Sequence, residues 1–335
     1  MATSTTAAEQ LPAYSVTAQP AFTPAKGGGD ALLPQYTFPT RFKIGVVFTD
    51  GLLVNIDQIK GHLALLNAFA NLKAEVEDLP SGSIHDMPGD RERKWAWFVG
   101  LAAERFDIWT RSLQSKDALQ PVEDTLPPLD VLMVWHSYML NPRWYTEDGQ
   151  RILACKPLIE LGQTLGKELT LPPTEARVNT FYTRVGLPFD PFQAASVNLT
   201  KKISCPKCRA SVVVPYMNDS GSGYLQAGFS ASCPLSGCPL ITKETLCARK
   251  LAENLSRQGM APDSYLPGTF FTEYQVAHLK AGMELLTKMR QKYNVSTKSQ
   301  TQSESTVNEE LCLSILQGAN FKLDEIRGHL GRCKQ

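Results

Sequence analysis

Pro127-Pro128-Leu129-Asp130-Val131-Leu132-Met133-Val134-Trp135-His136-Ser137-Tyr138-Met139-Leu140-Asn141-Pro142 is the stretch whose reading decides the fold class. Proline's fixed φ at Pro127–Pro128 suits a first helical turn. Asn141-Pro142 reads as the stop, because a residue before proline is driven out of the helical region. Between these limits the residues are apolar nearly all round, so this helix belongs at the centre of a bundle. His136 shares a face with Leu129, Leu132, Met133 and Leu140 and is expected to be buried. A buried imidazole needs hydrogen-bond partners, and Asn141, Asp130, Tyr138 and Tyr145 are the nearest polar groups.

Upstream, Ile56, Ile59, Leu63, Leu66, Ala70, Leu72 and Val76 recur at helical spacing over 55–77. Over 91–113 Trp95, Phe98, Ala102, Phe106, Trp109 and Leu113 form a second stripe, with Arg91, Lys94, Glu104 and Arg105 placed mainly outside it. Residues 1–40, rich in Ala, Thr, Pro and Gly, read as a disordered lead-in. Downstream, a helix is expected over 150–162. The proline-rich stretch 168–199 reads as a connection with one short helix around Glu175–Thr183.

Composition changes at residue 201. Cys205-Pro-Lys-Cys208 is followed by Cys233-Pro-Leu-Ser-Gly-Cys238, with β-prone sequence between the pairs. Two short-spaced pairs brought together by strands are what a tetrahedral four-cysteine zinc site needs. Four protein ligands leave no position for water or substrate, so the expected zinc is structural. The segment has little apolar content, and the metal is expected to stand in for a core. Cys155, Cys247, Cys312 and Cys333 are read as ordinary thiols, although Cys247 lies close enough in sequence to substitute as a ligand.

After the insert, helices are expected over 242–258 and from Thr272 to about Tyr293. The second rests on the Thr272/Gln275 capping-box spacing. A polar linker covers 294–305, and Thr306 with Glu309 repeats the capping signature before a final helix ending near Gly318. The expected fold is therefore mostly α: a helical bundle over 41–200 with a small β zinc-ribbon-like insert at 201–245. A helical hairpin over 246–293 packs on the bundle, and a linker with a C-terminal helix fills 294–335.

Charge and composition narrow the function classes. The 335 residues carry 34 Lys+Arg against 33 Asp+Glu, a net charge of +1, which gives no global attraction for nucleic acid or an anionic membrane. Apolar runs fall short of the ~20 residues of a membrane span. The first ten residues lack a signal peptide's basic and apolar regions. An intracellular location, cytoplasmic or nuclear, is the expectation. Locally the balance differs: over 201–250 seven bases face only Asp219 and Glu244, leaving +5. Lys201, Lys202, Lys207 and Arg209 with Tyr216, Tyr224 and Phe229 form a candidate surface for RNA or single-stranded DNA. The alternative is that these bases balance a thiolate-rich zinc site. His136 is the candidate catalytic or metal-ligating residue, with His62 its foremost partner and His85 the next. HExxH, GxSxG and phosphate-loop motifs are absent, so the leading expectation is a non-catalytic interaction or regulatory protein with a protein partner.

The run PPLDVLMVWHSYMLNPRWY (127–145) resembles the signature of the glycine-rich domain-containing protein-like family of plants and fungi. PTRFKIG (39–45), DQIKGHLALLNAF (57–69) and KWAWFVGLAAERFDIW (94–109) are similar to that family's N-terminal elements. The cysteine-bearing segment 203–246 is similar to fungal members, so the resemblance spans roughly residues 35–295. It implies a fungal-type member, with no established enzyme activity in the family. For the plant relatives it implies stress and developmental roles with proposed nucleic-acid binding. Those relatives carry a second histidine where this chain has Tyr138, and this chain has no glycine-rich tail.

Overall fold

Asn55 starts the first helix by reciprocal capping. Its side chain accepts from the Gln58 backbone N–H at 2.8 Å, and the Gln58 side chain accepts from the Asn55 N–H at 2.9 Å. In this computed structural model, residues 41–50, 54–162, 172–258, 267–268, 271–273, 276–277, 291 and 306–330 are described. The expected lead-in 1–40, most of the helix expected to Tyr293, and the linker 294–305 lie outside them. The chain divides into two units, 1–53 and 54–335. In the first, β1 (Arg41–Ile44) and β2 (Val47–Asp50) form an antiparallel hairpin turned at Gly45, whose φ of 61° is left-handed.

The second unit is mainly helical. It begins with α1 (Ile56–Asp78) and α2 (Arg91–Ser112), the latter capped by Asp90, followed by a 3-10 turn at Ser115–Leu119 and the short α3 (Val122–Thr125). Then come α4 (Leu129–Met139), α5 (Pro142–Arg151), α6 (Lys156–Gly162), α7 (Glu175–Val185) and α8 (Pro191–Val197). Helix α4 occupies the interior as its composition requires: Val131 and Trp135 are fully buried, packed with Trp109, Leu158, Leu161 and Phe181. A second apolar cluster joins α1 to α2 through Leu72, Val76, Trp97, Phe98 and Leu101.

Several expectations shift in detail. Helix α4 ends at Met139, before Asn141-Pro142 as expected, but Pro142 then opens a further helix, α5, where its missing N–H costs nothing. The helix expected from residue 150 is instead two helices separated by a 3-10 turn at Leu153–Cys155. Lys94 and Arg105, assigned to the outside of α2, are buried, and Trp97, missed by the stripe, belongs to the core. Lys94 donates to the Leu79 carbonyl at 2.6 Å, which satisfies its ammonium beneath the surface. On α1 the stripe works only in its second half: Leu72 and Val76 are buried, whereas Ile56, Ile59 and Leu63 are exposed.

The insert comprises β3 (Thr200–Ser204) paired with β4 (Ser211–Pro215), and β5 (Ser230–Ala231) paired with β6 (Ile241–Thr242), both antiparallel. It does have apolar content of its own, contrary to expectation. Ile203, Val214, Phe229 and Ile241 form a small cluster beneath the cysteines. The insert also docks on the bundle, because Tyr216 and Leu225 join the α1–α2 cluster.

Helix α9 (Lys243–Ser256) follows, continued by β7 (Arg257–Gln258). The helix expected to open at Thr272 does not do so: β8 (Phe271–Glu273) and β9 (Val276–Ala277) make a small hairpin there. Thr306 likewise does not cap. It lies in β10 (Thr306–Val307), which pairs with β7, and Asn308 caps α10 (Glu309–Gly318) instead. A further helix, α11 (Leu323–Leu330), closes the described chain. Helices α9, α10 and α11 share an apolar cluster of Ala252, Leu255, Cys312, Ile315, Leu316 and Ile326.

Buried ion pairs fix the bundle. Asp117, 1 % exposed, receives both guanidinium nitrogens of Arg184 at 2.7 and 2.8 Å and the Gln114 backbone N–H at 2.8 Å. Burial works against its charge, but these donors outweigh it and hold the carboxyl below its ordinary range. A depressed folded-state pKa gives stability that is present above about pH 4 and lost as pH falls through the folded value. Asp117→Asn is expected to flatten the acid limb of a stability-against-pH curve from urea titrations. An unchanged acid limb would contradict that role.

Candidate metal centre

The cysteine pairs sit at the tips of the two insert hairpins. Between β3 and β4 the chain turns through Cys205–Ala210. The Cys205 N–H donates to the Ala210 carbonyl at 2.9 Å, and the Arg209 N–H donates to the Cys205 carbonyl at 3.1 Å. Arg209 takes φ 64° to complete this turn. Between β5 and β6 the second pair turns through Gly237 at φ 73°, a conformation glycine adopts without a steric penalty. Lys207 ties the tips together by donating to the Gly237 carbonyl at 2.6 Å.

All four sulfurs, of Cys205, Cys208, Cys233 and Cys238, lie within 4.8 Å of one another. The Cys208 and Cys233 sulfurs are 3.5 Å apart, far beyond a disulfide bond. A tetrahedron of ~2.3 Å metal–sulfur bonds has sulfur–sulfur edges of about 3.8 Å, so the cluster fits a single ion. Cys205 is buried, Cys233 and Cys238 are half-buried, and Cys208 faces solvent. No other grouping of three or more potential ligands occurs among the described residues.

The sulfurs compete for protons. The Ala210 backbone N–H pulls the Cys208 thiol down to about 7, while burial and then the neighbouring sulfurs push Cys238 up to about 12. The Cys208 thiolate is therefore stabilised while the Cys233 and Cys238 thiols are pushed up. A divalent cation removes that conflict, because each ligated sulfur is deprotonated. The Leu235 N–H points at the Cys233 sulfur at 3.5 Å, a further donor toward ligand charge.

Beneath the first tip, Arg249 of α9 donates to the Pro206 carbonyl at 3.3 Å, to Glu253 at 2.9 Å and to Glu309 at 2.5 and 2.8 Å. Arg209 reaches the same Glu253 at 3.0 Å. The cysteine turn is thus fastened to α9 and, through Glu309, to α10. Sequence reasoning missed Arg249; its only sequence signal is a charge on the otherwise apolar face of Ala248 and Ala252.

The basic residues proposed for nucleic acid are mostly engaged within the chain. Lys201 pairs with Glu104 and lies 4.6 Å from the Tyr224 ring centre. Lys243 covers that ring at 3.1 Å, and Tyr216 and Phe229 are buried. The rings that base stacking needs are occupied or enclosed. Lys207 and Arg209 hold Gly237 and Glu253, and Lys202 and Arg209 are the exposed members of the set.

His136 is half-buried, not enclosed, and its expected partners are otherwise engaged. Asp130 pairs with Arg105, and Tyr138 donates to Asp148 at 2.5 Å. Tyr145 accepts from the Trp135 indole at 3.1 Å, and Asn141 donates to the Ser137 carbonyl at 3.1 Å. The structure brings His136 to His62, with their Nε2 atoms 2.9 Å apart, and backs it with Phe69 at 5.7 Å between ring centres. Burial, then the neighbouring His62, pushes the His136 pKa down. His85 lies apart and pairs with Asp86 at 3.1 Å. A cleft of about 780 Å³ separates the start of α2 from the 217–228 loop, lined by Asp86, Asp90, Arg93, Trp97, Asn218 and Gln226 among others.

No helix among the described residues is long and apolar enough to cross a membrane. Searches of protein-family models, curated proteins and solved structures find no match to the chain.

Proposed function

We propose that Cys205, Cys208, Cys233 and Cys238 hold one structural zinc ion in a zinc-ribbon-like module, within an intracellular, non-catalytic protein that serves as an interaction or regulatory component. The observation carrying this reading is the convergence of four sulfurs from two hairpin tips onto one ion-sized space. A site completed by four protein thiolates has no position for substrate, so its zinc supplies fold rather than reaction. Among the described residues the cluster consists of thiols alone, and soft all-thiolate donors favour zinc over magnesium or calcium.

The surroundings support a structural role. The two tips are joined by Lys207, and the first is anchored through Arg249 to α9 and α10. A metal at this point joins the bundle-docked strands to the C-terminal helices. The half-buried Cys155 and buried Cys312 thiols are both pushed up to about 11 chiefly by burial, which disfavours their thiolates and suits a reducing compartment. The proposed partner is a protein: the rings and bases of the nucleic-acid alternative are largely committed within the chain.

Cobalt substitution tests the site. Adding Co²⁺ to zinc-free protein under reducing conditions is expected to give intense thiolate-to-cobalt absorption and tetrahedral d–d bands. Both saturate at one equivalent and are abolished by zinc. Weak bands of octahedral type, or no saturation at one equivalent, would overturn the assignment.

A further inference from the structure

The two histidine rings brought together by α1 and α4 make a second constellation, separate from the cysteines. They come from residues 74 positions apart, and their Nε2 atoms meet at 2.9 Å with the rings tilted by 34°. In the metal-free protein one Nε2–H donates to the other Nε2, which requires the two rings to take different tautomers. His62 is exposed on α1, and His136 is half-buried with its ring against Phe69. Two imidazole nitrogens that converge from rigid helices, one of them open to solvent, match the requirements of a binding site for a borderline divalent metal.

We propose that His62 and His136 together bind one divalent transition-metal ion of the nickel, copper or zinc type through their Nε2 atoms, with water completing its coordination. Two imidazole nitrogens at ~2.0–2.1 Å from one ion in tetrahedral geometry stand about 3.3 Å apart. The observed 2.9 Å therefore needs only a few tenths of an ångström of adjustment. Binding leaves the proton of each neutral ring on Nδ1, so the ring that used Nε2–H as donor changes tautomer and no proton is lost. The site differs in kind from the cysteine cluster. It has two protein ligands rather than four, lies partly in water, and keeps positions free for exchangeable ligands.

The test uses zinc-loaded full-length protein, titrated with Ni²⁺ by calorimetry and followed by NMR of the histidine rings. Ni²⁺ serves as the probe because Cu²⁺ would oxidise the thiols. One equivalent of Ni²⁺ is expected to bind and to broaden the His62 and His136 ring signals together. Losing an outer-shell partner already costs metal sites about 10–100-fold, so removing a ligand by His62→Gln is expected to weaken binding by at least ~100-fold. His62 is exposed, so this change should leave the thermal transition unaltered, and His136→Gln checks the second ligand. His85→Gln, at an exposed histidine beside Asp86, is expected to change nothing. Binding that survives His62→Gln, broadening confined to other histidines, or no Ni²⁺ uptake at neutral pH would each overturn the proposal. None of these results bears on the cysteine site, whose zinc content is measured separately.

Discussion

Cys205→Ser is expected to cost the protein its metal and unfold the insert over residues 200–242 while helix α4 stays folded. Cys205 is the cluster's buried sulfur, 0 % exposed, so its loss removes the ligand with the least access to compensating water. Zinc binding in comparable small modules is worth ~10–16 kcal/mol of folding free energy. The insert's own apolar cluster, Ile203, Val214, Phe229 and Ile241 with the cysteine, cannot replace that. Four well-buried side chains contribute only ~1.5–3 kcal/mol each before chain entropy is subtracted. Amide hydrogen exchange reads the outcome by segment. Strands β3 and β4 should exchange almost freely in the variant, as they should after chelation of the wild-type protein. Protection of those strands at the wild-type level in Cys205→Ser would contradict a metal-dependent insert.

Arg105→Met is expected to be the most damaging single change in the bundle, at about 3–5 kcal/mol. Arg105 and Asp130 pair between α2 and α4 with side chains each 2 % exposed. Arg105 also donates to the Pro188 and Phe189 carbonyls at 2.6 and 3.1 Å. Complete burial pushes the Asp130 carboxyl up, against the pull of the guanidinium. Removing the arginine therefore strands a buried acid and two carbonyls. Domains commonly have only ~5–15 kcal/mol to lose, so the midpoint in a denaturant titration should fall steeply. The double variant Arg105→Met/Asp130→Leu is expected to recover much of the loss, because no unpaired charge remains. A single variant as stable as wild type would remove the pair from the account of the fold.

The two sites were legible to different degrees for physical reasons. Metal ligands must lie close in sequence within each tight turn, so the spacing of Cys205, Cys208, Cys233 and Cys238 carries the site almost unaided. Whether the insert stood alone was not legible, because the docking of Tyr216 and Leu225 on α1 and α2 depends on tertiary packing. His62 could be named as His136's partner only by surveying the available histidines; the 2.9 Å approach depends on how α1 crosses α4.

Helix composition revealed α4 and most of α1 and α2, but periodicity treats charge as a mark of solvent. Arg105 and Lys94 defeat that rule because each finds acceptors inside, a carboxylate or carbonyls from other segments. Pro142 serves two purposes at once, and the errors at Thr272 and Thr306 come from local signals that also have two uses. Proline before a turn both stops one helix and suits the first turn of the next. Thr three residues before Gln or Glu marks a cap only if the chain enters a helix there. At 271–273 and 306–307 strand pairing claims the backbone instead.

Native mass spectrometry of protein purified under reducing conditions without added metal measures the central claim directly. One zinc per chain is expected in the wild-type protein, and none at the cysteine cluster in Cys205→Ser. A wild-type chain carrying no zinc, or a Cys205→Ser chain that keeps it, would contradict the four-cysteine site.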